Sequence, residues 1–316
     1  DNNEGKALRI KQQYFFTSAS LQQIVKNHYK TYGSLDNLAD KAAIHINDTH
    51  PSMCIPEMMR ILMDDYNYSW EKAWEITIKV FAYTNHTIMA EALEKWSVDL
   101  FAPILPRIYT IIREINNRFC QYCNEIGAAS DLESMSIIHN NMIRMANLCI
   151  VGSYNVNGVS GLHTDILKAD TFEAFNRIYP GKFNNVTNGI AHRRWLGQAN
   201  PELTNYLNGL LGGDFIKDLS NIEELLKYAD DKTVLADLEK IKYTKKEQLA
   251  KYIKDANGIN VDINSIFDVQ VKRLHEYKRQ LLNALHIVYL YRQIKFNGLR
   301  PRPRTFIFAA KASSGY

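Results

Sequence analysis

The sequence predicts an α/β protein that includes the opening βαβ unit of a doubly wound, nucleotide- or phosphate-type domain. Three observations carry that expectation. Phe267, Val269 and Val271 alternate with polar residues, the period of a strand with one buried face. From Leu274 onward, Leu274, Tyr277, Leu281, Leu285, Val288 and Ile294 fall close to helical spacing with no proline to break them. After the Arg300-Pro-Arg-Pro-Arg304 break, Thr305-Phe-Ile-Phe-Ala-Ala310 reads as a second, buried strand. Strand 266–271, helix 274–296 and strand 305–310 then form βαβ, with the small-residue loop Lys311-Ala-Ser-Ser-Gly-Tyr316 after the second strand. The sheet begun there needs further strands, so this part is not expected to fold by itself as drawn. With 316 residues and 46% hydrophobic content, the chain can bury one large core or two ordinary ones.

The switch from period 2 to period 3.6 falls at Lys272-Arg273, so the first turn of the predicted helix carries Lys272 and Arg273, with Lys278 one turn on. A run such as Lys-Arg-Leu-His-Glu-Tyr-Lys-Arg also reads as a solvated helix face. Cations at a helix N-terminus have the wrong sign for its dipole, however, and free N–H groups there favour an anion. Spacing leaves both readings open; the charge pattern adds weight to a phosphate site.

Taken in order, residues 7–30 read as a structural helix through Leu8, Ile10, Tyr14, Phe15, Leu21, Ile24 and Val25. Lys41 to Asp48 is a short apolar strand closing on Thr49-His50-Pro51, with a helix from Ile55 to Met63. Strand ends that feed helices are where α/β proteins place their chemistry, which makes Asp48 and His50 candidates. Asp48 or Thr49 serves equally well as a cap for the next helix. Residues 69–83 form an amphipathic unit running into Thr84-Asn85-His86-Thr87, and Ile88 to Trp96 reads as a helix with Glu91 and Glu94 on its polar side. His86, at the junction, is either a satisfied structural histidine or a site residue. Residues 104–150 read as mostly helical, broken near Gly127–Ser130. Val151 to Ser160, with Gly152 and Gly158, is expected to turn closely around something. Asn188-Gly189 precedes a basic-aromatic turn at 192–196, and 197–260 reads as charged helices whose run 227–255 is a solvated face.

Composition excludes several classes. No run of about 18 apolar residues exists, so no membrane-spanning helix is expected. A net charge of +4 is too small to suggest nucleic acid. Four cysteines do not make a disulfide framework, and the single Cys120-Gln-Tyr-Cys123 lies in a helical pattern with no second pair, against a zinc or redox role. The opening Asp-Asn-Asn-Glu-Gly-Lys has neither a signal pattern nor an initiator Met, so a cytoplasmic chain, and a piece of a longer one, is expected. The Asn-x-Ser/Thr matches at Asn47, Asn67, Asn85 and Asn185 carry no meaning in such a chain.

Six segments in order bring a family into view: Asn47-Asp-Thr-His-Pro51; Thr84-Asn-His-Thr87 with Glu91-Ala-Leu-Glu-Lys-Trp96; Asn157-Gly-Val159; Thr187-Asn-Gly-Ile190 with Arg193-Arg-Trp-Leu196; Val269 to Gln280; and Lys311 to Tyr316. From Lys6 onward the chain resembles the glycogen/starch/maltodextrin phosphorylases. That resemblance implies a two-domain, glycosyltransferase-B-like architecture with its site in the cleft between Rossmann-like halves. Residues 1–185 would be the end of the N-terminal domain and 186–316 the start of the C-terminal, cofactor-binding one. It implies a hexosyltransferase using pyridoxal 5'-phosphate through its phosphate group, for reversible phosphorolysis of α-1,4-glucan to glucose 1-phosphate with retention. A cytoplasmic homodimer is the implied state of the whole enzyme.

Carried over position by position, Arg273 and Lys278 resemble the residues that hold the substrate phosphate, and Lys272, with Lys278, a contact to the cofactor phosphate. Tyr277 resembles a contact to glucosyl hydroxyls. His86 matches the histidine that binds the glucosyl residue and whose main-chain carbonyl supports an oxocarbenium ion, and Asn188 the amide at the sugar 6-hydroxyl. Asp48 and Glu94 resemble supporting residues near the sugar.

Met89-Ala90, Ala191-His192, Ser97 and Ser313-Ser314 stand where some members have Leu-Pro, Thr-Pro, Pro and Ala-Pro, which implies a bacterial-type variant. The family's Gly-Thr-Gly-Asn-Met-Lys motif, with its cofactor lysine, has no counterpart in the sequence, nor do its N-terminal phosphate loop and allosteric segments. These residues alone are therefore expected to be inactive. Two rival readings remain, a nucleotide-sugar glycosyltransferase of the same architecture and a non-catalytic glucan-binding remnant; motif order argues against the first, and only the missing lysine favours the second.

Overall fold

A computed structural model describes residues 2–212 and 215–312; the expected loop residues Ser313 to Tyr316 lie outside them. The chain divides into two compact units, Asp1–Gly189 and Ile190–Tyr316. It is a mixed α/β protein, mostly helical, with parallel sheet in both units.

In the first unit, a helix over Asn3–Tyr32 starts where the Asn2 side chain accepts from Gly5 N and ends at Gly33, which takes the left-handed φ of 71° that glycine adopts without steric cost. Strands β1 (Ile44–Asn47) and β2 (Phe81–Asn85) follow, joined through the helices Cys54–Arg60 and Trp70–Val80. Next come β3 (Lys95–Ser97), the long helix Pro106–Glu125, β4 (Ile138–His139), β5 (Met142–Arg144), β6 (Asn155–Gly158) and β7 (Phe183–Asn185). Strands β1, β2, β6 and β7 form one parallel sheet in that order, while β3, β5 and β4 form a small antiparallel one.

Because side chains alternate across a strand, Ile46, Phe81, Tyr83, Val156 and Phe183 drive one face of the parallel sheet into the core, where all are buried. His45, Asn47, Thr84, Asn155, Asn157 and Asn184 take the other face and line a cleft. Among the described residues, the core holds one buried carboxylate. Glu57, wholly inaccessible, accepts from Arg60 (2.9 Å), Tyr14 Oη (2.8 Å) and Ser18 Oγ (2.7 Å), tying the first helix to the helix Cys54–Arg60. Burial and this carboxylate push the Tyr14 phenol up to about 12.

Several expectations are corrected. Ile88 to Trp96 is not a helix: a single 3₁₀ turn at Ala90–Ala92 leads into β3, whose Lys95, Trp96 and Ser97 pair with Arg144, Ile143 and Met142. Non-local pairing and the Trp96 indole bonded to Glu94 override the local period. For the same reason 104–150 is not one interrupted helical stretch, since the β4–β5 hairpin lies inside it. Val151 to Ser160 turns closely around the protein's own side chains, and its Asn155 and Asn157 line the cleft. Gly152 and Gly158 make room for the protein itself: a Cβ on the first would stand 2.7 Å from Ile55 side-chain atoms, and one on the second 3.0 Å from Thr164 Cα and against its hydroxyl.

In the second unit, helices Pro201–Leu211 and Lys232–Asn257 precede β8 (Ile266–Val271), the helix Gln280–Asn297 and β9 (Arg304–Ala309). Strands β8 and β9 pair in parallel, so the βαβ unit is present, but neither strand is buried as expected: Val269, Val271 and Phe308 are exposed. Its helix begins six residues later than expected. His275 is extended, its ring accepts from Tyr277 N, and Arg279 takes a positive φ of 59°, which no continuous helix through 274–279 tolerates. Lys272, Arg273 and Lys278 therefore occupy a strand-to-helix loop rather than a first helical turn.

Candidate functional site

In the first unit, candidates cluster where the parallel strands end at their carboxyl edge, the usual location of ligand sites in such sheets. An open cleft of about 700 Å³ there is lined by His86, Asn188, Asn47, Thr84 and Asn157 among others. His86 is exposed, and its Nε2 lies 2.6 Å from Asn47 Oδ1, at the end of the neighbouring strand. With that oxygen as acceptor, Nε2 is the donor. Asn188 is set by its main chain, whose N–H donates to Val159 O at 3.0 Å, and its side chain is exposed. One strand inward, Thr84 Oγ1 meets His45 Nε2 and accepts from Asn157 Nδ2 (3.2 Å), while Asn157 Oδ1 accepts from Val186 N (2.6 Å). The cleft is thus floored by amides, hydroxyls and imidazoles, suited to hydroxyl-rich ligands.

Asp48 and Glu94 do not line that cleft. Asp48 is half-buried with φ 65°; its N–H donates to Thr84 O (3.0 Å) and its carboxylate accepts from Thr49 N (2.7 Å), so it shapes its own turn and caps no helix. Glu94 accepts from Trp96 Nε1 (2.7 Å) and, at 3.4 Å, from Thr49 Oγ1. His50 is exposed and outside the cleft.

Sequence reasoning passed over Asn47, Asn85 and His163 as individual residues. Asn85 is wholly buried; its Oδ1 accepts from Thr87 N (3.0 Å) and lies 2.9 Å from His163 Nε2. Burial, and then the nearby His86, depress the His163 imidazole. The available signal was polarity at strand ends: an amide closes β1 at Asn47, β2 at Asn85 and β7 at Asn185.

In the second unit, Lys272, Arg273, Tyr277 and Lys278 share the loop between β8 and the helix Gln280–Asn297. Amides moor it. Gln270 Nε2 donates to Lys278 O (3.2 Å), Gln280 Nε2 to Arg273 O (3.0 Å), and Asn283 Nδ2 to Gln270 Oε1 (2.9 Å). Backbone bonds from Lys272 N to Ala309 O (3.0 Å) and Leu274 N to Lys311 O (3.2 Å) pin it to the end of β9. The charged ends have no such ties: among the described residues, none of Lys272, Arg273, Lys278 and Arg279 forms an ion pair. Lys278 is half-buried with its ammonium 5.5 Å from the Tyr277 ring centroid, while Lys272 and Arg273 are exposed. Unopposed cations on a fixed loop can hold a phosphate.

No helix among the described residues is long and apolar enough to cross a membrane. A family model described as carbohydrate phosphorylase matches residues 1–316. Glycogen phosphorylase of Bacillus subtilis is 51% identical over 100% of this chain, which covers 40% of that protein. Glycogen phosphorylase of Haemophilus influenzae is 46% identical over 99% of the chain, covering 39% of its own length, and the muscle form of Ovis aries is 44% identical with the same coverage. The chain spans about 40% of the length of these relatives. With the match running from the first residue to the last, through both units, the chain belongs to the carbohydrate phosphorylase family.

Proposed function

We propose that the chain carries sugar- and phosphate-handling residues of an α-glucan phosphorylase, an enzyme of reversible phosphorolysis that makes glucose 1-phosphate from α-1,4-glucan and inorganic phosphate. The observation that carries this reading is the division of chemistry between an amide-imidazole cleft and a loop of unopposed cations. The same reading gives the protein a glycosyltransferase-B-like architecture, with residues 1–185 from the N-terminal domain and 186–316 from the C-terminal one, and makes the whole enzyme a cytoplasmic homodimer.

Arg273 and Lys278 bind the attacking phosphate and offset its charge. His86 and Asn188 hold the glucosyl residue by its hydroxyls, Tyr277 adds a further hydroxyl contact, and Asp48 and Glu94 support the turn beside it. The His86 carbonyl faces the developing oxocarbenium ion. A phosphate oxygen that attacks the face from which the protonated glycosidic oxygen leaves gives retention. Lys272, exposed and without an ion pair among the described residues, fits the phosphate end of pyridoxal phosphate, whereas the lysine that would hold its aldehyde end is not in this sequence. The chemistry the cofactor supplies when bound is a second phosphate sharing a proton with the first. Two dianions so close require the surrounding cations.

The test is glucose 1-phosphate release from glucan and phosphate by the complete product of the gene, with and without pyridoxal phosphate. Cofactor-dependent release supports the proposal; glucan binding without release at any cofactor level contradicts it.

A further inference from the structure

Asn85 is the last residue of β2 and, although an amide at the edge of an open cleft, it has no solvent exposure. All of its side chain is engaged. Oδ1 accepts from Thr87 N at 3.0 Å and faces His163 Nε2 at 2.9 Å, and Nδ2 donates to Tyr83 Oη at 3.2 Å. Tyr83 is itself wholly buried, and burial raises its phenol, which keeps it a neutral partner. His163 sits on the short helix Gly161–Ile166, where its own N–H is bonded to Ser160 Oγ at 3.2 Å.

His86 lies between Asn85 and Thr87, so this network grips the main chain on both sides of it, while Asn47 grips the imidazole separately. Closing the turn requires only the bond from Thr87 N to Asn85. The added imidazole is a costly neighbour, since His163 is partly buried and close enough to His86 to be depressed by it. What the extra bond supplies is fixed orientation of the amide, and through it of the peptide units flanking His86.

We infer that Asn85 and His163 are positioning residues for His86, fixing the direction of its main-chain carbonyl through a buried amide clamp. The inference rests on the reading of His86 given above. A carbonyl that opposes positive charge only as the glycosidic bond breaks must already be aimed, because a misplacement of about 1 Å can cost a hundredfold in rate. Loosening the clamp therefore acts on kcat more than on glucan KM.

The experiment uses the complete, cofactor-loaded gene product and four variants: His86→Ala, His163→Ala, His163→Gln and Asn85→Asp. His163→Ala is expected to lower kcat about tenfold, the scale of one lost hydrogen bond, with glucan KM within about twofold of wild type and a thermal midpoint lowered by no more than a few degrees. His163→Gln, which can donate to Asn85 Oδ1, is expected to recover most of that loss. Asn85→Asp, which keeps the acceptor but loses donation to Tyr83, is expected to fall between wild type and His163→Ala. If His86→Ala is inactive while His163→Ala matches wild type, the clamp is overturned and the reading of His86 stands. A loss in His163→Ala that glutamine does not rescue overturns the clamp as well. Full activity in His86→Ala removes the imidazole's part in the reading of His86, while the clamp, which acts on the main-chain carbonyl that alanine keeps, is judged by the two His163 variants.

Discussion

In the first unit His86 meets Asn47 at 2.6 Å, Asn85 meets Thr87 and His163, and Thr84 meets His45 and Asn157. In the second, Lys272, Arg273 and Lys278 stand on a loop whose amides and main chain are bonded and whose charges are not. The difference follows from what each set is proposed to bind. A sugar hydroxyl offers one modest hydrogen bond at a time, so its partners must be held in place beforehand and gain from being tied to one another. A phosphate offers full charges and several acceptor oxygens; cations already paired to carboxylates would have to break those pairs first. Rigid and neutral suits the one, moored and unopposed the other.

The largest expected effect tests whether the first unit depends on paired polar groups. Glu57→Ala leaves Arg60 without its buried partner and should cost about 3–5 kcal/mol of stability, measured by denaturant unfolding. A loss below about 1 kcal/mol would break the comparison on its rigid side. Next, Gly158→Ala drives a methyl into Thr164 at the end of a central strand and should cost about 1–3 kcal/mol, with the β6 end losing hydrogen-exchange protection. On the other side, Gln280→Ala frees the Arg273 carbonyl from its mooring and should raise the KM for phosphate several-fold, about 1 kcal/mol, with glucan KM unchanged. A pH-dependent effect concerns Lys182, whose ammonium burial depresses from 10.5 to about 8. The unfolded chain holds that proton more tightly, so stability should rise as pH goes from about 8 to 10.5, and the penalty is fully present below that window. Lys182→Met should remove that part of the pH slope, read as the difference between two unfolding series.

Much of this architecture was legible in the residues. The alternation at Phe267, Val269 and Val271 and the apolar run at Thr305 to Ala310 became paired parallel strands, although the burial those patterns imply is missing, with Val269, Val271 and Phe308 exposed. His86 was visible as a polar residue at a junction of predicted elements, and Asn188 as one ahead of a basic-aromatic turn. What stayed hidden depends on partners distant in sequence. Ile88 to Trp96 has a helical period, yet Trp96 pairs with Ile143 across the chain. The cations around Lys272 read as a helix start because Leu274 and Tyr277 keep helical spacing, while the positive φ at Arg279 leaves no trace in apolar periodicity. The clamp on Asn85 was equally invisible, since His163 lies 78 positions away.

The most direct test of the division between the two regions is a steady-state comparison of Arg273→Ala and Asn188→Ala in the complete gene product, varying phosphate and glucan separately. Arg273→Ala should lose about 10²–10³ in kcat/KM for phosphate, the scale of one lost charge-stabilising contact. Asn188→Ala should lose about tenfold in kcat/KM for glucan with phosphate saturation unaltered, the scale of one neutral hydrogen bond. Equal losses toward both substrates in both variants, or an Arg273→Ala enzyme that saturates with phosphate as wild type does, would contradict it.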